Sequence, residues 1–150
     1  MPEVLAAIRP DSVNLPLFLH VLGAMLLVGF LFAVAFATIL GRSPDRAAGL
    51  ARFGLKTLLL GVLPSYILMR VGAQWTESEQ NYPDEFEATW IDIGYITADI
   101  GALLILISAV LAGVGLRRGN VRLARIVGVV SVILLAAFLV AVWAMTAKPT

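Results

Sequence analysis

Four long apolar runs, separated by three polar connections, set the pattern of the chain. The first, residues 15–41, reads LPLFLHVLGAMLLVGFLFAVAFATILG and holds a single ionisable side chain, His20. A run of roughly 20 apolar residues crosses a bilayer as a helix. A helix also satisfies its own backbone polar groups in hydrocarbon. The same pattern predicts spans over residues 55–75, 91–116 and 126–146. Asn14 as a cap and Pro16 in the first turn mark the predicted start of span one. Pro64 lies mid-way along span two, where a missing N–H predicts a kink, with Gly61 and Ser65 leaving room beside it. Span four holds no ionisable residue, which makes it the helix expected to face lipid. Val4, Leu5 and Ile8 could share one face of a short interfacial helix before span one; a partly ordered terminus is the plainer alternative.

The connections differ in charge. GRSPDRAAGLARFG carries Arg42, Arg46 and Arg52, with Lys56 just beyond, and RRGNVRLAR carries Arg117, Arg118, Arg122 and Arg125. Between them TESEQNYPDEFEATW carries Glu77, Glu79, Asp84, Glu85 and Glu87 and no Lys or Arg. Basic connections stay on the cytoplasmic side. The expectation is therefore an all-α transmembrane four-helix bundle, a single domain over residues 1–150, multi-pass in a bacterial-type plasma membrane, with both termini extracytoplasmic. The stretch before span one lacks the basic start of a signal peptide, so that span is expected to be retained. Small residues four apart mark the expected contact stripes: Gly94, Ala98 and Ala102, with Gly101, Ala109 and Gly113 beside them; Ala33 and Ala37; Ala137 and Ala141. Short connections make consecutive helices expected neighbours.

Composition narrows the function classes. The chain is 60% hydrophobic and 14% charged, with a net charge of +1, which gives no basic stripe for nucleic acid. There is no Cys and one His, so thiolate chemistry and a multi-histidine centre within one chain are excluded. No Ser-His-Asp set or paired carboxylates stand out, which points away from an enzyme. Asp84, Glu85 and Glu87 lack the spacing of a calcium loop.

What remains is a few polar groups inside the spans. A carboxylate in a membrane helix is costly and faces a partner or a wet cavity. Asp99 follows Tyr95 by four residues and Asp92 by seven, which puts all three on one face. Arg70 and His20 fall at similar depth in the outer half, with Tyr66 at a related level. The expectation is a buried cluster of Asp99, Arg70 and His20 that opens outward, as a proton relay, a small-ligand pocket or a packing clamp. His20 with Met69 or Met145 is the alternative set, for haem or copper. No cofactor is required by the remaining pattern. Four helices enclose little volume, so the lipid bilayer, a homo-oligomer or a larger membrane complex are the expected partners.

The segment LHVLGAMLLVGFLF, with Leu19, His20, Gly23 and Gly29, resembles the first helix of small bacterial four-helix integral membrane proteins of unknown function. These are distantly similar to copper-resistance-D-like membrane domains. The stretch WIDIGYITADIGALL fits loosely as well. The resemblance implies four spans and a ligand-binding role for membrane histidines, of which only His20 occupies a matching position. Transport of a small solute or protons, membership of a membrane complex, haem or copper handling and a purely structural role all remain open at this point.

Overall fold

A computed structural model of the chain describes residues 11–41, 44–80 and 89–147. The described residues are helical apart from two short connections. Helix α1 runs Asp11–Leu40, α2 Pro44–Thr57, a π-helical turn Leu58–Val62, α3 Leu63–Gln80, α4 Thr89–Arg118 and α5 Val121–Ala147. Because α2, the π turn and α3 run on without a break, there are four long helical stretches. Each is long and apolar enough to cross a membrane. The 30 residues of α4 are about 45 Å long, against about 30 Å of hydrocarbon.

The helices outrun the predicted spans. Asn14 and Pro16 lie inside α1 rather than at its cap; the Asn14 amide donates to Asp11 Oδ1 at 3.2 Å. Much of the first basic connection is helical as α2, and α3 continues through Glu77 and Glu79. The second basic connection shrinks to Gly119 and Asn120. Gly119 has φ of +60°, a backbone conformation open to glycine, and the Asn120 amide donates to Gly115 O at 2.9 Å, closing α4. Asn120 Oδ1 then accepts from the Arg122 amide at 3.0 Å and starts α5. Val4, Leu5, Ile8, Asp84, Glu85 and Glu87 lie outside the described residues.

Pro64 acts through the π turn. The Leu63 amide reaches back five residues to Leu58 O, and the widened turn lies immediately before the proline. The wide turn relieves the clash a proline ring makes with the carbonyl four residues earlier. Gly61, within the turn, is packed against the Phe30 ring. Since the strain is already absorbed, Pro64→Ala should change stability by no more than about 1 kcal/mol, against the ~3 kcal/mol of a proline forced into a regular helix. Thermal unfolding in detergent checks this; a gain near 3 kcal/mol would mean that the turn relieves nothing.

The packing order is α3–α1–α5–α4, with α2 closing one end against α1 and α4. Consecutive α3 and α4 scarcely touch, contrary to the neighbour expectation. Nor is α5 a lipid-facing outlier: Gly128, Ser131, Leu134, Phe138, Ala141 and Ala144 are buried on it, between α1 and α4. An apolar composition does not choose lipid over protein, because lipid tails are as apolar as leucine; close approach at small residues decides. A methyl group at Gly128 would overlap Thr38, and one at Gly101 would stand 2.8 Å from the Phe138 ring. Gly113, in the predicted stripe, has nothing within 4 Å of that position. The core centres on Leu27, Leu31, Leu58, Ile105, Leu134 and Phe138, while Phe18, Phe32, Leu60, Ile100, Val110 and Trp143 cover the outside. An apolar exterior of this extent fits a bilayer environment.

Candidate functional site: a polar seam between two helices

Where α3 and α4 scarcely touch, polar side chains link them. Arg70 Nη2 lies 2.9 Å from Asp99 Oδ1. The same guanidinium stacks over the Tyr95 ring, 4.7 Å from its centre. The Tyr95 hydroxyl donates to Glu77 Oε2, and the Tyr66 hydroxyl donates to Ala98 O at 3.0 Å. Helix geometry brings these groups to one level. Arg70 is ten residues before the end of α3 and Asp99 ten residues after the start of α4, so both lie about 15 Å from the acidic end. Tyr66, Arg70 and Glu77 recur at spacings of four and seven, which places them on one face of α3. On α4, Tyr95 and Asp99 are one turn apart.

The seam is open at the side. Arg70 is 23% exposed, but Asp99 is 65% exposed, which corrects the expectation of a buried carboxylate. The physical reason is rotational. Ala98, Gly101, Ile105, Ser108 and Gly115 form the buried face of α4, and Asp99 is turned one residue, about 100°, from it. Asp92 shares the face of Asp99 but is exposed and makes no ion pair among the described residues.

His20 belongs to a different contact. Its Nδ1 lies 2.9 Å from Met69 O, the residue before Arg70, so the imidazole is held on the α1 side of α3 rather than in the ion pair. A ring nitrogen facing a carbonyl oxygen must carry the proton, which leaves Nε2 as an acceptor in the neutral ring. The contact exists because two glycines let backbones meet. A Cβ at Gly23 would lie 2.7 Å from Met69 Cα, and one at Gly72 would lie 2.8 Å from His20 Cα. Met69 is buried, and the Met145 side chain lies against Gly94 on α4, a helix that is not packed beside α1. His20 and Met145 are thus directed to different neighbours. No group of three or more His, Asp or Glu suited to a metal occurs among the described residues.

Two contributors escape the linear pattern. Glu77 reads as a connection residue, although its spacing of seven from Arg70 is a usable signal once α3 is extended through Gln80. Gly72 carries no chemistry, and only the crossing reveals its role. Tyr95→Phe keeps the ring beneath Arg70 and loses only the bond to Glu77. It should cost about 1 kcal/mol or less, whereas Tyr95→Ala should cost about 1 kcal/mol more. Equal losses in chemical unfolding would show that the guanidinium gains nothing from the ring.

Fold and seam together define an all-α chain of four packed helices fit for a membrane, with a charged bridge between two of them. No known protein family, curated protein or solved structure matches this chain.

Proposed function

We propose that this is a multi-pass protein of the plasma membrane, with the basic connections cytoplasmic and both termini outside, whose seam binds a small polar solute of positive charge from the outer side. The carrying observation is the balance of the seam: Arg70 pairs with Asp99 and lies over Tyr95, whose hydroxyl is held by a second carboxylate, Glu77. The seam is one positive charge short and open at its flank. Binding is favoured over conduction by what lies deeper. The core beneath is apolar, and Thr38 and Ser131 donate back to carbonyls of their own helices at 3.0 and 2.8 Å instead of forming a chain across the bundle.

Titration of the purified protein with choline, ethanolamine and putrescine, read by tryptophan fluorescence, tests this. Trp75, whose indole donates to Glu79 at 3.2 Å on α3, is the local reporter. A saturable change that is lost in Glu77→Gln supports the reading, and proteoliposomes with an entrapped pH dye should show no proton flux. A flat titration with all three amines rejects the solute.

A second reading rests on the side exposure of Asp99. A charge that faces sideways within a membrane suits a basic side chain of a neighbouring subunit. Co-purification of another membrane protein that is lost in Asp99→Asn, with no amine response, favours that reading instead.

A further inference from the structure

At the opposite, basic end a cavity of about 340 Å³ lies between α2, the end of α1 and the turn joining α4 to α5. Its walls are mostly apolar, from Ala37, Ala51, Leu55 and Ala112, and Arg52 and Arg125 are also among its lining residues. Neither arginine has an ion-pair partner among the described residues. The first turn of α5 also opens onto the cavity, through Asn120 and Ala124. The amino end of this 27-residue helix carries a partial positive charge, although Asn120 Oδ1 already accepts from the Arg122 amide there. Two arginines and a helix amino end border a space whose remaining surface is mostly apolar. Phosphate oxygens suit the first part of that description, because they accept from guanidinium and backbone N–H alike. A hydrocarbon chain suits the second.

We propose that this cavity binds an anionic phospholipid, with its phosphate between Arg52, Arg125 and the start of α5 and the upper part of one acyl chain against the alanine-rich wall of α2. A soluble phosphate would use the charges and leave the apolar walls unused. A zwitterionic lipid would fill the walls but set its own cation against the arginines. The site is separate from the seam at the acidic end, so the two proposals stand or fall independently. It lies at the level of the two basic connections, where an anionic leaflet surface is expected if that end is cytoplasmic.

Native mass spectrometry of the full chain, released from detergent in the presence of phosphatidylglycerol or phosphatidylcholine, tests the site. One phosphatidylglycerol per chain should be retained, with a preference of about tenfold or more over phosphatidylcholine, given roughly one kcal/mol per basic residue. Arg52→Gln with Arg125→Gln should remove that preference. Ala124→Leu should reduce retention by filling the space without altering charge, its folding checked by thermal unfolding. Arg118→Gln, at the same end but outside the cavity wall, should bind as the parent protein does. Equal retention of the two lipids, or unchanged binding in the double arginine variant, overturns the proposal. Full displacement of phosphatidylglycerol by inorganic phosphate also overturns it, by assigning the charges to a soluble anion.

Discussion

Gly72→Ala is expected to lower the stability of the folded protein by about 3 kcal/mol, the upper part of the range for overpacking. The added methyl group would lie 2.8 Å from His20 Cα and 2.9 Å from Pro16 O. Both are backbone atoms of α1, so no side chain can swing aside and the two helices must separate. Gly23→Ala should behave alike, since its methyl group would lie 2.7 Å from Met69 Cα on the same crossing. Once one methyl has parted the helices, the second finds room, so the double variant should lose less than the sum of the two. Gly29→Ala is the control. It is an exposed glycine of α1 with nothing within 4 Å of its Cβ position, and it should gain about 0.5–1 kcal/mol from helix propensity alone. Circular dichroism during denaturation in mixed micelles measures all four. If Gly72→Ala melts with Gly29→Ala, the reciprocal crossing is not what holds α1 to α3.

Breaking the Arg70–Asp99 pair should be asymmetric. Asp99→Leu leaves a guanidinium that is only 23% exposed and cannot shed its proton, and the expected loss is about 2 kcal/mol. Arg70→Leu leaves a carboxylate that is 65% exposed and far less enclosed by the protein, so the loss should be nearer 1 kcal/mol. Removing both should restore most of the stability, because neither charge is then stranded between the helices. A double-mutant cycle reads the coupling directly. Additive losses, or a larger loss from Arg70→Leu than from Asp99→Leu, would contradict the seam as described. The same variants bear on the solute. With Glu77 left in place, Arg70→Leu makes the seam more negative, and it should tighten a bound amine even as it weakens the fold.

The two tests probe different levels of the same arrangement. The glycine crossing joins α1 to α3 through backbone contact, and the seam joins α3 to α4 through the side chains of Tyr66, Arg70 and Glu77. The first and last helices of the packing order have few contacts beyond these polar groups, and the apolar core lies mainly between the other pairs.

Four long helices and the separation of basic from acidic connections were legible in the residues, because hydrophobic run length and charge placement are local properties of the chain. Asp99 and Arg70 could be paired in advance for a related reason. Each stands a fixed number of residues from an acidic connection, and 1.5 Å per residue turns that number into depth. Rotation about each helix axis was a different matter. Nothing local says that Ala98 faces α5 while Asp99 faces the seam, or that His20 meets Met69 O rather than the carboxylate. Those outcomes depend on which helices become neighbours. In an apolar surround that choice rests on where backbones can approach most closely, at Gly23, Gly72, Gly101 and Gly128, and not on hydrophobicity, which is nearly the same on every side.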